Sequence, residues 1–352
     1  VSLDVLEVLR LSDSSNTVRI LGDNTDTLSL SGFGWTTETA VTEAGITFDV
    51  FSAGEAVIQV QQGITRLGGP IAAVELSEVE TNSDLRGFVI NGVATSDSSG
   101  NSVSSAGDVN GDGFDDLIIG ASRDDPNGSN SGASFVVFGK SGGAVVELSE
   151  IELGTNGDGF VINGVAEGDN SGRSVSSAGD LNGDGFDDLI IGASFDDPNG
   201  EASGASFVVF GKADGAAVEL STVEAGTGGF VINGVATGDY SGRSVSSAGD
   251  VNGDGFDDLI IGANRDDPNG SNSGASFVVF GGDFTGAATQ VGTTGADTLT
   301  GTADNDVLIA GTGDDTLIGS GGADVLRGGA GNDILAVSTS DFTKIEGGSG
   351  TD

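Results

Sequence analysis

Three residue types are missing from the 352-residue sequence, which has no cysteine, no histidine and no methionine. Without cysteine the chain forms no disulfide and has no thiolate nucleophile. Without histidine it has neither a Ser-His-Asp triad nor an imidazole metal site. These absences remove most familiar enzyme chemistry and leave oxygen-bearing side chains as the candidates for binding a metal.

Positive charge is also scarce, because 12 Lys and Arg residues stand against 54 Asp and Glu residues and give a net charge of −42. Such an excess of one sign repels itself in a compact state, and it argues against a nucleic-acid partner. It makes sense if many carboxylates hold divalent cations. No apolar run approaches the ~18–20 residues of a membrane helix, and no basic, apolar signal peptide opens the chain.

The apolar residues, 36% of the chain, lie in short runs between turns that are rich in the 63 glycines. Short apolar runs bounded by Gly, Asp, Asn and Ser are typical of β-strands. An acidic, polar chain can also be disordered. We therefore expect an all-β fold for the metal-loaded protein and leave disorder open for the metal-free protein.

Residues 1–66 alternate apolar and polar side chains with a period of two, for example over residues 5–11, 46–51 and 56–60. This alternation predicts a small antiparallel β module.

Residues 67–283 contain one unit three times, at about 67–141, 142–213 and 214–283, with spacings of 72 and 70 residues between equivalent loops. Each unit carries four short apolar runs, which is the strand count of one propeller blade. The recurring phenylalanines, such as Phe135 and Phe138, are interpreted as core. A turn of sequence Asp-Asp-Pro-Asn-Gly recurs at 124, 196 and 266 and predicts a hairpin, whose carboxylates are candidates for additional calcium ligands.

A nine-residue loop, Asp-x-Asn-Gly-Asp-Gly-Phe-Asp-Asp, sits at the centre of each unit. Ca²⁺ takes six to eight oxygen ligands, and the loop offers side-chain oxygens at positions 1, 3, 5 and 9, a backbone carbonyl at position 7 and a turn-forming glycine at position 6. The alternative is that these loops are polar turns that bind nothing. The predicted calcium ligands are Asp108, Asn110, Asp112, Phe114 and Asp116, then Asp180, Asn182, Asp184, Phe186 and Asp188, and then Asp250, Asn252, Asp254, Phe256 and Asp258.

These units resemble the FG-GAP repeats of integrin α-chain β-propellers through Gly-Asp-x-Asn-Gly-Asp-Gly-Phe-Asp-Asp-Leu-Ile-Ile-Gly-Ala. The Phe-Gly that opens the family repeat is Ser99-Gly100, Ser171-Gly172 and Ser241-Gly242 here. The resemblance implies β-propeller blades that bind calcium. A closed propeller needs typically four or more blades. Three units therefore leave open whether blades are missing, other segments complete the ring, or the units stack differently.

Residues 292–335 change to a period of nine, in which an aspartate is followed two residues later by a leucine. This pattern resembles the RTX calcium-binding nonapeptide repeat, and it implies that residues 284–352 form a parallel β-roll that binds calcium between turns. Glycine is not kept at Ala303 and Thr312, so we expect the first turns to bind more weakly. The predicted ligands are Asp297, Asp306, Asp315, Asp324 and Asp333.

The last residues, 342–352, begin another Gly-Gly-x-Gly-x-Asp turn. In RTX-bearing surface proteins, sequence like residues 1–66 usually lies downstream of such a turn. We therefore expect either one period of a longer tandem protein or subunits that join head to tail.

Together these patterns predict an extracellular, calcium-stabilised structural protein of the cell surface or matrix that self-associates into a filament or lattice. By resemblance to RTX proteins, it is secreted. The alternative is a calcium-dependent adhesin or ligand-binding module of a larger surface protein, with a glycan or matrix ligand. A third hypothesis is a glycosidase-type enzyme that uses a carboxylate pair, but calcium loops and turns account for nearly all the acidic residues. We therefore expect no enzyme and no catalytic residues.

Overall fold

The computed structural model describes residues 2–3, 17–20, 27–30, 36–37, 40–43, 46–53, 56–61, 65–67, 76–80, 87–140, 144–338 and 342–352. Strands dominate these residues, and the helices among them are single turns. The predicted all-β class is confirmed. The chain divides into two compact units, Val1–Val89 and Ile90–Asp352.

The first unit contains eight described strands and the short helix α1 (Leu76–Glu80). Strands β4 to β7 form the antiparallel part of one sheet, to which β2 adds in parallel beside β7. A second sheet, β1-β3-β8, is parallel. The strands are β1 (Ser2–Leu3), β2 (Thr17–Ile20), β3 (Thr27–Leu30), β4 (Thr36–Thr37), β5 (Val41–Glu43), β6 (Ile46–Ala53), β7 (Ala56–Gln61) and β8 (Thr65–Leu67).

The expectation of an antiparallel module over residues 1–66 holds for β4 to β7, but it was wrong for the parallel pairing of β2 with β7 and for the parallel sheet β1-β3-β8. Alternation along a strand shows which side chains face the core, and it carries no information on the direction of the neighbouring strand. Chain distance fixes the direction only where two residues separate the strands, as between β5 and β6 and between β6 and β7, and both of these pairs are antiparallel. Strands as far apart as β2 and β7 have enough intervening chain for a crossover and can pair in parallel.

The second unit begins with the three repeats. The first contains β9 (Ile90–Asn91), β10 (Ser99–Gly107), β11 (Asp116–Ala121) and β12 (Ala133–Val137). The second contains β13 (Val146–Glu147), helix α2 (Leu148–Glu152), β14 (Gly159–Asn163), β15 (Ser174–Gly179), β16 (Asp188–Ala193) and β17 (Ala205–Val209). The third contains β18 (Val218–Glu219), helix α3 (Leu220–Glu224), β19 (Gly229–Asn233), β20 (Ser241–Gly249), β21 (Asp258–Ala263) and β22 (Ala275–Val279).

Within each repeat the long strands pair antiparallel in chain order. In the second repeat Val175 of β15 lies opposite Ile191 of β16, which lies opposite Phe207 of β17. All residues of β16 and β17 are buried, which explains why these strands are continuous apolar runs instead of alternating ones. The apolar core of this unit is continuous across the first and second repeats.

In the first two repeats, the outer strand of the sheet comes from the following repeat. β14 pairs antiparallel with β12 of the first repeat, and β19 pairs antiparallel with β17 of the second. The sheet of the third repeat contains three described strands, β20-β21-β22.

Successive repeats also approach closely at their inner strands. A Cβ at Gly120 would lie 2.0 Å from the carbonyl oxygen of Gly172 in the next repeat, and a Cβ at Gly192 would lie 2.0 Å from that of Gly242. Glycine is required there because the neighbouring backbone occupies the space of a side chain.

The C-terminal residues form a parallel β-roll with two sheets, β23-β25-β27-β29 and β24-β26-β28. Equivalent residues of one sheet are 18 apart, as in Leu299 opposite Leu317 and Leu308 opposite Leu326, because each coil contains two nonapeptides. The leucines stack inward, with Leu308, Leu317 and Leu326 fully buried. The strands are β23 (Gln290–Val291), β24 (Thr298–Thr300), β25 (Val307–Ile309), β26 (Thr316–Gly319), β27 (Asp324–Arg327), β28 (Ile334–Val337) and β29 (Phe342–Glu346).

The roll packs on the loops of the second and third repeats. In the first two loops a glycine faces the loop phenylalanine of the next repeat, as Gly111 faces Phe186 and Gly183 faces Phe256. In the third loop Gly253 faces Ala330 and Thr312 of the roll instead. The roll therefore takes the place of a further repeat at this end of the unit.

Candidate metal centres

The three predicted calcium loops occupy equivalent places, each between the first two long strands of its repeat. The first loop follows β10, and its ninth residue, Asp116, is the first residue of β11. Gly111 and Gly113 have φ angles of 77° and 86°, a backbone conformation that favours glycine. The turn that would gather the oxygens is thus built by the loop's own sequence.

The loop carboxylates turn inward and accept hydrogen bonds from the loop backbone. Asp108 accepts from the amides of Gly111 and Gly113 at 2.8 and 2.9 Å, and Asp112 accepts from the amide of Phe114 at 2.9 Å. The third loop repeats this pattern, with Asp250 accepting from Gly253 and Gly255 and Asp254 accepting from Phe256. The same side chains therefore converge on the same small space in each loop.

The ninth residue of each loop is fully buried and ties the loop to the sheet. Asp116 accepts from the amides of Val109 and Gly139, and Asp188 accepts from those of Leu181 and Gly211. Asp258 makes the equivalent bonds.

Burial disfavours the ionised form of these carboxylates and so raises their pKa. It raises the pKa of Asp116 and of Asp180 from 3.8 to about 6, and it raises the pKa of Asp188 well above its usual range. Nearby Asp112 and Asp108 raise the pKa of Asp116 further, whereas hydrogen bonds from Gly139 and Val109 oppose the shift. Clustered, buried negative charge of this kind is what a divalent cation would neutralise.

The loop residues fit calcium by their chemistry. Within the part of the chain that the structure describes, no three Asp, Glu, His or Cys side chains stand together as a preformed metal cage. The carboxylates instead bind loop amides, and Asp108 Oδ2 accepts only from the amide of Gly113, so one of its two lone pairs remains for a cation. Asp180 Oδ1 is buried with no hydrogen-bond partner among the described residues. The ligand roles of the fifteen loop residues, including the carbonyls of Phe114, Phe186 and Phe256, remain predictions.

In the roll, the aspartates of successive coils form ladders. The amide of Asp297 donates to Asp315 at 2.6 Å, and the amide of Asp315 donates to Asp333 at 2.8 Å. The amide of Asp306 likewise donates to the carboxylate of Asp324 at 3.0 Å. One oxygen of each acceptor is thus used in the ladder, and the other faces the turn between coils.

The second oxygen differs between the early and the late coils. In the early coils it accepts from a threonine, as Asp297 does from Thr293 and Asp306 does from Thr302. In the late coils Oδ2 of Asp315 and of Asp333 is buried with no hydrogen-bond partner among the described residues. Unpartnered carboxylate oxygens between coils fit an oxygen-seeking cation, so we predict that the late turns bind calcium more tightly than the early ones. The ligand roles of the five predicted roll aspartates remain predictions.

Each turn of sequence Asp-Asp-Pro-Asn-Gly lies beside a further aspartate, Asp97, Asp169 or Asp239, that the sequence reasoning missed. Asp97 and Asp124 are both buried, and each has one oxygen without a hydrogen-bond partner among the described residues. Burial raises the pKa of Asp124 to about 6, and the charge of Asp97 adds to the shift. Asp169 and Asp196 are the equivalent pair in the second repeat. Asp97, Asp169 and Asp239 recur at the spacings of the calcium loops, 72 and 70 residues, which is the sequence signal that was available.

Two cations of the roll reach the calcium loops. Arg327, with a side chain only 4% exposed, pairs with Asp180 at 3.2 Å and with Asp257 and Glu346 at 3.0 and 3.1 Å. Lys344 pairs with Asp187 at 3.0 Å. Part of the negative charge of the second loop is therefore offset by the roll.

Comparison with known proteins identifies both kinds of repeat. The FG-GAP repeat matches residues 99–137, 171–209 and 241–279, and the RTX calcium-binding nonapeptide repeat matches residues 291–326 and 309–336. The chain is 33% identical over 166 residues to integrin alpha-5 of Xenopus laevis, a match that covers 45% of this chain and 14% of that protein. It is 31% identical over 160 residues to integrin alpha-7 of Mus musculus, covering 45% of this chain and 12% of that protein. The match thus spans about a seventh of the length of these relatives.

These matches confirm the FG-GAP and RTX resemblances and calcium as the ion of the RTX repeats. The matched families are of repeat and adhesion type and are not enzymatic. Among the described residues, no helix has the length and apolar character that crossing a bilayer requires.

Proposed function

We propose that this chain, which contains three FG-GAP repeats followed by RTX calcium-binding repeats, is a calcium-folded module of an extracellular surface or adhesion protein. The observation that carries the proposal is the presence of two unrelated calcium repeats in one compact unit, with a salt-bridged contact between them. Calcium bound by the FG-GAP repeats and calcium bound by the RTX repeats would then stabilise the same unit.

The net charge of −42 supports calcium as part of the fold. Carboxylates that are buried without a cation raise the free energy of the folded state, and an ion that binds only the folded chain lowers it by mass action. Calcium sites of extracellular modules bind at about 10⁻⁴–10⁻³ M, which matches calcium outside cells better than inside them. The chain therefore stays unfolded before export and folds after it.

The proposal includes self-association into a filament or lattice as the structural role of the module. Support comes from open strand edges in the described residues, which pair with other strands unless they are covered. A contact between two different surfaces that does not close generates a fibre.

The experiment is a calcium titration of the purified chain followed by circular dichroism and by electron microscopy of the same samples. We expect strand signal to appear with calcium, to disappear with a chelator, and to accompany filaments or sheets. A chain that keeps its strand signal in chelator would overturn the calcium-folding proposal. Folded, isolated particles in calcium would overturn self-association alone.

The second candidate is a ligand-binding adhesin, which the similarity to integrin alpha chains favours. Arrays of immobilised glycans and matrix proteins, probed in calcium and in chelator, discriminate the two roles. Saturable, calcium-dependent binding by folded single chains favours adhesion. No binding alongside filament formation favours the structural role.

A further inference from the structure

The third repeat exposes a strand that its two counterparts bury. β12, β17 and β22 have the same sequence, Ala-Ser-Phe-Val-Val, yet every residue of β12 and β17 is buried and none of β22 is. Val136 and Val208 have no exposed surface, whereas the equivalent Val278 is 47% exposed. Identical strands therefore differ only in what lies beside them.

In the first two repeats the neighbour is a strand of sequence Gly-Phe-Val-Ile-Asn from the following repeat. β14 lies beside β12 with Ser134 opposite Ile162, and β19 lies beside β17 with Ser206 opposite Ile232. The register is the same in both sheets. The pairing is thus a property of these two sequences.

One further copy of the inserting sequence is present, at residues 87–91, where β9 occupies its last two positions. One edge of β9 pairs with β13, just as one edge of β14 pairs with β18. The edge that corresponds to the β12-facing edge of β14 has no described partner. The chain therefore carries one receiving strand and one inserting strand that are not paired with each other in the described sheets.

A second contact between repeats is present twice and missing once, at the middle strands β11, β16 and β21. Gly120 and Gly192 each lie against a glycine carbonyl of the following repeat, whereas at Gly262 the nearest atom to an added Cβ is 3.6 Å away. Gly132 and Gly204 each form a bridge with the following repeat, to Ser171 and Ser241. Ser99 and Gly100 are the first-repeat equivalents of Ser171-Gly172 and Ser241-Gly242, so they are the residues that would contact Gly274 and Gly262.

We propose that β22 of one chain takes residues 87–91 of a second copy of this chain as its fourth strand, antiparallel and with Ser276 opposite Ile90. This interface rests on the self-association proposed above and names the surfaces that make it. Pairing within one chain would close a ring of three blades, fewer than the typical four to eight of propellers. A second copy is therefore the occupant, and repetition of the contact gives an open chain of copies.

The roll covers the third loop, so the proposed interface between two copies involves the strands and not this loop. Gly253 in the third loop is already covered by Ala330 and Thr312, where a following repeat would place its loop phenylalanine. Phe114, the residue that would fill that place, is 49% exposed in the first repeat. Phe114 therefore stays outside the contact, which consists of the outer and inner strand edges.

Cysteine crosslinking tests the register directly because the chain has no cysteine of its own. Opposed residues of antiparallel strands have Cα atoms about 4.5–5.5 Å apart, within the range of a disulfide. We mix the single variants Ser276→Cys and Ile90→Cys in calcium with a mild oxidant. The expected product is a disulfide-linked dimer, formed at least about tenfold more in the mixture than in either variant alone.

The variant Ser206→Cys with Ile232→Cys is the positive control, since these residues lie opposite each other within one chain. If this control crosslinks and the mixture forms no dimer above the single variants, the interface is overturned. The double variant Ser276→Cys with Ile90→Cys distinguishes the occupant, because a crosslinked monomer would show closure within one chain. Circular dichroism of the same samples shows whether calcium-dependent folding holds, so failure of the interface is separable from failure of the proposed function.

A charge on the free edge supplies a second test. Val278→Lys places a lysine on a half-exposed strand residue, where it opposes strand addition without disturbing the core. We expect association measured by light scattering to weaken by about tenfold or more. Val291→Lys, at a 52% exposed strand residue of the roll, is the matched control and should leave association unchanged. Equal association of the two variants would contradict the interface.

Discussion

Arg327 is a single residue that couples the two calcium modules. Its guanidinium is almost fully buried between Asp180, Asp257 and Glu346. The charges of Asp180, Glu346 and Asp257 raise its pKa, although burial alone would lower it. Removing one partner of a buried ion pair is costly because the other charges stay buried and unpaired.

We therefore predict that Arg327→Met, which keeps much of the side-chain volume, loosens the roll from the repeats at a cost of up to about 3–5 kcal/mol. Hydrogen exchange in calcium should show faster exchange of β27 and β29. Lys140→Met removes a partly exposed pair with Asp158 and should change exchange little, because such pairs contribute about 0–1 kcal/mol. Equal exchange of β27 in the Arg327→Met variant and the parent would contradict the coupling.

The buried acidic pairs give the chain opposite pH responses with and without calcium. Burial raises the pKa of Asp124 and of Asp169 from 3.8 to about 6, so the folded state binds these protons more tightly than the unfolded chain does. The stability that they contribute is complete below the unfolded pKa and is lost as pH rises through about 6.

In chelator we therefore expect acidification from about pH 7 to about pH 5 to raise the free energy of unfolding, or to restore strand signal if the chain is unfolded. In calcium the same acidification should lower stability, because the ion requires ionised carboxylates. Urea titrations at about pH 7 and about pH 5, in chelator and in calcium, measure whether the free energy of unfolding rises or falls in each case. Asp124→Asn with Asp169→Asn should reduce the response in chelator, because Asp116, Asp180 and Asp188 still contribute, and an unchanged response would contradict the assignment.

At the scale of elements, the glycines between repeats show where a neighbour is present and where none is. Gly192 lies against the carbonyl of Gly242, whereas at Gly262, its equivalent, an added Cβ would meet no atom closer than 3.6 Å, an ordinary van der Waals contact. We predict that Gly192→Ala destabilises the protein by about 1–3 kcal/mol, since the added methyl group pushes two repeats apart. Gly262→Ala is the matched control and should be close to neutral in a thermal or urea unfolding curve of the single chain. Similar losses for both variants would show that the position is sensitive for another reason.

The elements also show what the sequence could predict. The strands, the repeat lengths, the loops and the inward leucines of the roll follow from local patterns, because periodicity and turn residues act over a few positions. The parallel pairing of β2 with β7 does not follow from them, since partner choice depends on distant chain. The turn that contains Asp124 was identified, but its neighbour Asp97 was missed for the same reason, because the two short loops meet only once the sheet is formed.

At the scale of the whole molecule, the second unit joins repeats whose stabilities add locally to a roll that contacts two of their loops. Repeat proteins are stabilised by each unit and by its neighbours, so damage to one loop stays near it. The three loops are not equivalent in this respect. The first is remote from the contacts of Arg327 and Lys344, the second pairs with both, and the third packs on the roll through Gly253.

Substitutions in the three loops should therefore affect the roll differently. Asp112→Ala, Asp184→Ala and Asp254→Ala each remove the same loop carboxylate, and each should weaken one calcium site and loosen its own repeat most. We expect Asp112→Ala to leave the roll protected and Asp184→Ala and Asp254→Ala to expose it as well, since only their loops support it. Limited proteolysis in limiting calcium, with cleavage sites mapped by mass spectrometry, measures both effects. Equal protease resistance of the variants and the parent would contradict the loop ligands, and roll cleavage in all three variants would contradict local coupling.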